Sequence, residues 1–407
     1  MSADTLAAAS AAPDTDLTAG QKTGVRGELK AELKAELKAA ATRAVAEHST
    51  ALLSLSHRIA DHPEEGLREE RAAAWVAETV RDLSGVTSEH GLAGMATALR
   101  ARHGTGTHEV VLCAEYDALP VIGHGCGHNI IAAAAVGAFA ALVPLAEQLD
   151  LTLTLLGTPA EETVGGKLRL LRAGAFDTAH AAMMIHPAPV DQVSMNPFAC
   201  AEMRIRFTGR ESHASLAPHR GINAQDALTV TLTALGLARQ QLEQNQQFHS
   251  AISEAGGAPN VIPGSAALHV LARAGDLESL ERVRAVVTRC AQAGALAAGC
   301  EVDVVSARDE DTAHIRMDEA MLASFRANAL QLGRDPAPVG GFGGSTDMGN
   351  VSLAVPSIHP MIGLGDASLS LHTREFADAA RGPGGDRAVL DGATLLAHTA
   401  IDVSVLP

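Results

Sequence analysis

The sequence contains few aromatic residues: one tryptophan, one tyrosine and eight phenylalanines among 407 residues. Proteins that bind single-stranded nucleic acid stack its bases on aromatic side chains, and this chain offers little of that surface. Basic residues are also in the minority, since the formal net charge is −16. Nucleic acids and anionic membrane surfaces attract basic proteins instead. The composition therefore argues against both kinds of partner.

Cysteine is scarce too, and the five cysteines follow no spacing typical of a disulfide framework. They are Cys113, Cys126, Cys200, Cys290 and Cys300. The first 20 residues show no basic segment followed by an apolar stretch, and no apolar run of 18 residues suggests a membrane span. We therefore expect reduced thiols and a cytoplasmic protein.

The length and the order of predicted elements indicate an α/β protein with two domains. Between about 48 and 197, short apolar strands alternate with helices, which is typical of a mostly parallel sheet flanked by helices. Between about 199 and 306, the predicted order is β-α-β-β-α-β, a ferredoxin-like unit. We predict disorder at residues 1–23, a main domain at 24–197 and 311–407, and an inserted domain at 198–310.

An AELK repeat occupies Glu28–Ala40 and predicts a long first helix. Leu29, Leu33 and Leu37 recur every four residues and form one apolar stripe. Glutamates and lysines each form stripes of their own, so opposite charges are never three or four residues apart. The helix is therefore expected to depend on docking its leucine stripe, and we assign it no chemistry.

The segment Gly123–Ile131, with the sequence GHGCGHNII, combines metal-ligand residue types with glycines. Cys126 and His128 are two residues apart, so one turn can direct a thiolate and an imidazole to the same metal ion. Further along, Glu161 and Glu162 directly follow an apolar strand and Thr-Pro. One of these carboxylates can bind a metal while its neighbour acts as a general base.

Two further histidines complete the pattern. His186 follows the apolar strand predicted at 181–185, and His372 lies near the C-terminus in Leu-His-Thr. The carboxyl ends of strands are where open α/β sheets place their sites, and the first of these histidines occupies such a position. The order Cys-x-His, Glu-Glu, His and a distant His predicts a metal-dependent amidohydrolase.

Each feature alone also has a structural explanation. Cys126 and His128 would suit a buried helix start, Glu161 and Glu162 a solvated loop, and isolated histidines a core or a surface. Two other functions stay open: a thiol nucleophile at Cys126, or a catalytically silent binding protein of the same fold. The glycine-rich segment Gly340–Gly344 lacks the Lys-Ser or Lys-Thr of a phosphate-binding loop and favours that function only weakly.

From about residue 48 to the C-terminus, the chain resembles the metal-dependent aminoacylase and carboxypeptidase amidohydrolase superfamily. It is most similar to the branch of aminobenzoyl-glutamate utilisation protein B, indole-acetyl–amino acid hydrolases, hippurate hydrolases and Xaa-Arg-type dipeptidases. The matching segments are His62-Pro63-Glu64, Asp117-Ala118-Leu119-Pro120, Gly123–Asn129, Pro159-Ala160-Glu161-Glu162, Met184-Ile185-His186-Pro187, His213-Ala214-Ser215, Asn260-Val261-Ile262-Pro263, Ser345-Thr346-Asp347 and His372-Thr373.

The resemblance implies one or two divalent ions, zinc or manganese. It assigns Glu161 as the general base and Asp117 as a residue that orients a ligand. Many relatives outside this branch have a His at the position of Glu115 and an Asp at the position of Cys126, so the occupancy of both metal positions stays open. The implied metal ligands are Cys126 as the bridge, with His128, Glu162, His186 and His372.

The resemblance also implies that the inserted domain is a lid and a dimerisation domain. His213 would then reach the active site of the partner subunit in a homodimer and polarise the scissile carbonyl. Asn260 and Arg273 would help to hold the carboxylate of the substrate. The implied substrates are N-acyl amino acids, aminobenzoyl-glutamate-like amides or dipeptides, with dipeptides of basic residues as an alternative.

Overall fold

The computed structural model describes residues 19–338 and 343–404, so residues 340–342 of the glycine-rich segment lie outside the described residues. Within the described residues the α-helices are α1 (Ala19–Glu47), α2 (Ser49–Asp61), α3 (Glu70–Ser84), α4 (His128–Leu142), α5 (Gly166–Arg172), α6 (Ala224–Ala238), α7 (Leu277–Ala298), α8 (Glu319–Gln331), α9 (Met348–Ala354), α10 (Arg374–Ala380) and α11 (Pro383–Val403).

The strands of the same residues are β1 (Ser88–His90), β2 (Leu99–His103), β3 (His108–Ala114), β4 (Leu151–Gly157), β5 (Ala181–Met183), β6 (His186–Ala188), β7 (Ala199–Thr208), β8 (Ser212–His213), β9 (Gln246–Glu254), β10 (Val261–Ile262), β11 (Ser265–Ala274), β12 (Glu301–Val305), β13 (Ser357–Ile358) and β14 (Met361–Gly363).

The main domain contains a sheet of order β1-β2-β4-β3-β5-β13, in which β4, β3, β5 and β13 are parallel and β2 is antiparallel to both of its neighbours, β1 and β4. Alternating side chains of β3 cover its two faces. Val110 and Leu112 face the large core around α4 and α11, whereas Val111 and Cys113 face a smaller core beneath α5 and α9. This is the predicted mostly parallel sheet flanked by helices, and the prediction is confirmed.

Helix α4 lies at the centre of the main domain. The stretch His128–Leu145 is apolar and long enough to cross a membrane, contrary to the expectation that no such run exists. Every residue of α4 is, however, buried within the protein, where the helix packs against the sheet and against α2, α3 and α11. Burial on all sides accounts for its apolar composition.

The inserted domain is an antiparallel sheet of order β12-β7-β11-β9, covered on one face by α6 and α7. Its order along the chain is the predicted ferredoxin-like one, and β7 alternates buried and exposed residues as its sequence indicates. The two connections to the main domain lie side by side. Cys200 and Thr312 exchange backbone hydrogen bonds of 2.8 and 3.0 Å there. The chain thus leaves and re-enters the main domain at one point.

Helix α1 packs against α11. The residues that it buries lie at the end of the leucine repeat and beyond it. Leu37, Ala41 and Val45 are buried, whereas Leu33 is 37% exposed. The structure describes residues 19–23 as the start of α1, and the disorder of residues 1–23 stays a prediction. Once the strong helix formers downstream have nucleated a helix, each further residue is added at little cost.

Candidate metal centre

The predicted site residues of the main domain come together at the carboxyl ends of its parallel strands. Glu115 and Asp117 follow β3, the pair at 161–162 follows β4, and His186 begins β6. Cys126 lies in the loop before α4, and His128 is the first residue of that helix. Parallel strands bring their carboxyl ends to one edge of a sheet, which is why residues far apart in sequence meet here.

Glycines allow the two loops of the site to approach closely. Gly127 has a φ of 74°, and a Cβ atom there would lie 2.8 Å from Cγ of Pro187. A Cβ atom at Gly125 would lie 3.3 Å from Cα of His372, whose backbone N–H donates to the Gly125 carbonyl at 3.0 Å. These glycines therefore bring the C-terminal loop against the cysteine loop.

The ligand-type atoms form two groups of three that share one residue. Cys126, His128 and His186 each offer an atom within 4.8 Å of the other two. Cys126, Glu162 and His372 do the same. A thiolate can bridge two ions, so this arrangement has the donor atoms for two neighbouring divalent ions, and nitrogen, sulfur and oxygen donors suit zinc or manganese.

Hydrogen bonds fix the orientation of these side chains. Asp117 Oδ1 lies 3.0 Å from His128 Nδ1, and Asp117 Oδ2 accepts from the backbone N–H of Glu162 at 3.0 Å. His186 Nδ1 donates to the Pro187 carbonyl at 2.7 Å. Both imidazoles thus direct their Nε2 atoms at the site, as metal-binding histidines do.

Among the residues that the structure describes, three buried polar atoms at the centre of the site lack a hydrogen-bond partner. They are Glu115 Oε2, His128 Nε2 and Glu162 Oε1. His128 Nε2 lies 3.2 Å from Glu115 Oε2 and 3.9 Å from Glu162 Oε1. Buried polar atoms are seldom left unpaired, and a divalent cation would satisfy such a group. The residues therefore fit a bound metal.

Burial changes the protonation of the ligands in the metal-free protein. It raises the pKa of the Cys126 thiol far above its usual range. Burial would lower the pKa of His128, but the carboxylates of Asp117 and Glu115 outweigh it and raise that pKa well above the usual range. Both groups therefore hold a proton at neutral pH until an ion displaces it.

Glu161 lies between the ligand groups and a second set of carboxylates. One of its oxygens is within 4.8 Å of ligand atoms of His128 and Glu162, and one is within the same distance of Glu115 and Asp347. Burial raises the pKa of Glu161 well above its usual range, and its carboxylate neighbours raise it further. A raised pKa makes the Glu161 carboxylate a stronger base than that of an ordinary glutamate.

The backbone before Glu161 is strained and is held by a buried glutamate. Ala160 has a φ of 61°, which is unfavourable for a residue with a Cβ atom. Its N–H donates to Glu69 Oε1 at 2.8 Å, and Thr97 donates its hydroxyl to Glu69 Oε2 at 2.9 Å. This contact holds the turn that presents both site glutamates.

The predicted residues of the inserted domain lie on its loops and on one strand. His213 is exposed in β8, which pairs with β10 beside Asn260. Arg273 lies on β11, and its Nη1 donates to Ser345 Oγ at 2.7 Å and to the Gly344 carbonyl at 3.2 Å. Among the described residues, no hydrogen bond or ion pair joins His213 or Asn260 to the metal ligands.

Three buried charged residues of the site escaped prediction as functional: Glu69, Lys167 and Asp347. Lys167 is fully buried, contacts Glu115 Oε1 and lies 2.7 Å from Asp347 Oδ1. The sequence does contain a signal for Lys167, because a lysine in the first turn of a helix is unfavourable next to the positive end of the helix dipole. Such a residue soon after Glu161 and Glu162 indicates a buried ion pair.

Comparison with known proteins shows the family of the chain. A family model described as peptidase family M20/M25/M40 matches residues 111–402. The chain is 36% identical over 329 residues to Xaa-Arg dipeptidase of Mus musculus, covering 77% of this chain and 76% of that protein. It is 30% identical over 263 residues to one of the subunits of p-aminobenzoyl-glutamate hydrolase from Escherichia coli K12, covering 60% of this chain and 54% of that protein.

Solved structures share the fold. Aminobenzoyl-glutamate utilization protein from Klebsiella pneumoniae superimposes with a TM-score of 0.69 at 18% identity, over 88% of this chain and 97% of that one. A Bacillus subtilis protein described as a dinuclear metal-binding peptidase gives 0.70 at 18% identity, over 89% and 99%. The resemblance predicted from the motifs is confirmed. The chain belongs to peptidase family M20/M25/M40, and it is a metal-dependent hydrolase of peptide or amide bonds.

Proposed function

We propose that the protein hydrolyses the amide bond of N-acyl amino acids, aminobenzoyl-glutamate-like amides or dipeptides at a centre of two divalent ions. The main support for this proposal is that Cys126 belongs to two different groups of three ligand atoms. One ion would be held by Cys126, His128 and His186, and the other by Cys126, Glu162 and His372. When bound, zinc or manganese would lower the pKa of a water molecule and polarise the amide carbonyl.

Glu161 is the general base of this proposal. Its neighbour Glu162 belongs to a ligand group, and Glu161 lies close enough to both ligand groups to reach a water molecule between them. Its raised pKa allows it to take a proton from that water and to pass it to the nitrogen of the leaving amine. The products are a carboxylic acid and an amino acid.

His213 supplies a hydrogen-bond donor to the carbonyl oxygen in this proposal. Its Nδ1 accepts from the backbone N–H groups of Ser215 and Leu216 at 3.3 and 3.2 Å. A neutral imidazole whose Nδ1 is an acceptor carries its proton on Nε2. The exposed ring thus presents an Nε2–H donor, and in a homodimer the partner subunit would receive it.

The substrate would lie between the domains. A cavity of about 440 Å³ is lined by Glu161 and Asp347 from the main domain and by Glu202 and Arg204 from β7 of the inserted domain. This volume is within the usual range for small-molecule sites. Arg273, at the domain boundary, has a planar guanidinium that matches a carboxylate, and Asn260 would add a donor amide.

A dipeptide with a basic residue is the second candidate substrate, because the Mus musculus relative is named Xaa-Arg dipeptidase. A thiol nucleophile at Cys126 is disfavoured, because burial raises the pKa of that thiol, whereas reactive cysteines have lowered values. All five cysteines are free in the described residues, and we propose a cytoplasmic protein on that ground.

A substrate panel tests the proposal. The protein is stripped of metal, reconstituted with zinc or manganese, and assayed against N-acyl amino acids, aminobenzoyl-glutamate and dipeptides with acidic, apolar and basic C-terminal residues. Turnover should require a free carboxylate and stop with a chelator. A metal-loaded protein that cleaves none of these amides, or one that is alkylated at Cys126 and stays active, would contradict the proposal.

Metal affinity should weaken as the pH falls, because the ion must displace protons from Cys126 and His128. Both groups have raised pKa values in the metal-free protein, so they are protonated at neutral pH and a higher pH favours binding. Each released proton changes the affinity up to roughly tenfold per pH unit. Titration calorimetry in buffers of different ionisation enthalpy counts these protons, and Cys126→Ser should release fewer. An affinity that is constant between pH 6 and 8 would refute this expectation.

A further inference from the structure

Lys167 is buried completely, in the first turn of α5 beside the candidate metal centre. Its ammonium group contacts Glu115 Oε1 and lies 2.7 Å from Asp347 Oδ1, and its backbone N–H donates to Asp347 Oδ2 at 2.8 Å. Burial would lower the pKa of Lys167, but Asp347 and Glu115 outweigh burial and raise it well above its usual range. The side chain is therefore a cation inside the protein.

The groups around this cation resemble the ligands of a hard metal ion. Glu115, Glu161 and Asp347 each offer an oxygen within 4.8 Å of the other two, and carboxylate oxygens are the ligands that divalent ions such as manganese accept. Glu115 is 1% exposed; its Oε1 contacts Lys167, and its Oε2 lies 3.2 Å from His128 Nε2. Without Lys167, these carboxylates would leave a buried negative charge uncompensated, which is very unfavourable.

Whether the cation beside Glu161 is an ammonium group or a metal ion affects the ability of Glu161 to act as a base. Glu161 belongs both to this carboxylate group and to the group with His128 and Glu162. A divalent ion among the carboxylates would bind Glu161 as a ligand, and a bound carboxylate is a weaker base. The ammonium of Lys167 neutralises charge with three N–H donors, and it has no coordination position to share.

We propose that Lys167 is a built-in cation that occupies the place of a further metal ion among Glu115, Glu161 and Asp347. As a positioning residue, it keeps Glu161 free of metal coordination and limits the ions to those held by the two groups that share Cys126. This inference rests on the proposed function, since it assigns Glu161 as the base beside a metal centre.

Counting bound ions in Lys167→Met tests this inference. Wild-type and variant proteins are stripped with a chelator, dialysed against the same excess of free Mn²⁺, and analysed for manganese per chain by mass spectrometry. We expect one more ion per chain in Lys167→Met than in the wild type. The matched control is the double variant Lys167→Met with Asp347→Asn, which keeps the net charge of the cluster and removes one ligand, so it should gain no ion.

The outcomes separate this inference from the proposed function. A wild-type protein that binds no ion contradicts the proposed function. A wild-type protein that binds manganese, together with a folded Lys167→Met protein that gains no ion, overturns only the role of Lys167. An equal gain in the double variant also overturns it, because Asp347 would then not be a ligand.

Thermal unfolding covers the case in which Lys167→Met does not fold without metal. The inference predicts that Mn²⁺ restores folding to this variant. It also predicts that Mn²⁺ raises the midpoint temperature of unfolding more in the variant than in the wild type. A variant that stays unfolded with and without Mn²⁺ overturns the inference, whether or not Asp347→Asn rescues it, because a divalent ion would then be unable to replace the ammonium.

Discussion

Replacing Glu161 by Gln should reduce turnover by about 100- to 10,000-fold, the usual contribution of a general base. The amide of glutamine keeps the size of the side chain but cannot take a proton from water. Bound metal should stay near the wild-type content, because Glu161 is not a member of either group that shares Cys126. Elemental analysis and turnover, measured on the same preparation, check this expectation.

The neighbouring glutamate provides the matched control. Glu162→Gln removes a charged oxygen from the group of Cys126 and His372, so it should lower the metal content as well as the turnover. Its backbone N–H can still donate to Asp117, and the local turn should therefore persist. Equal loss of metal in the two variants would show that the two glutamates do not divide the roles of base and ligand.

Mixing two inactive proteins should restore activity if His213 acts across a homodimer. His213→Ala should lower turnover by about 100- to 1000-fold, as the loss of one oxyanion donor does. A hybrid dimer of this variant with Glu161→Gln contains one site with both residues intact. Random pairing should then recover up to about a quarter of the wild-type activity, since half of the dimers are hybrids with one working site each.

Subunit exchange must be shown independently, with differently tagged chains. If tagged hybrids form and no activity returns, His213 acts within its own chain or has no role. A His213→Ala protein with turnover near the wild-type level would leave the residue as an exposed strand-end histidine. Ser215→Ala is a useful comparison, because it removes the hydroxyl beside His213 Nδ1 but leaves the backbone N–H donors in place.

The fold could be predicted from the sequence where the periodicity is strong. The alternation in β7 and the apolar runs of β3 and β4 are visible in the sequence and match the observed strands. The face by which α1 docks could not be predicted. The AELK repeat ends at Ala40, whereas the buried residues of α1 are Leu37, Ala41 and Val45, and only tertiary packing selects them.

The grouping of the ligands could be anticipated from their order along the chain, because the carboxyl ends of parallel strands converge. The burial and the partners of the charges that support the site could not be anticipated, although the position of Lys167 at a helix start is a signal of an ion pair. Lys167 and Asp347 are 180 residues apart in sequence, and neither lies in a periodic pattern that indicates burial. Glu69 resembles any solvated glutamate near the start of a helix, and its contact with Ala160 exists only in the folded chain.

The paired connections at Cys200 and Thr312 have a consequence for how the protein is made. Once the chain up to Thr312 has emerged from the ribosome, every strand and helix of the inserted domain is present. This domain can then fold as a continuous segment. The main sheet must still wait for β13, and its large core for α11. His372 also follows the inserted domain in the chain, so the ligand groups are completed only after that domain has already taken shape.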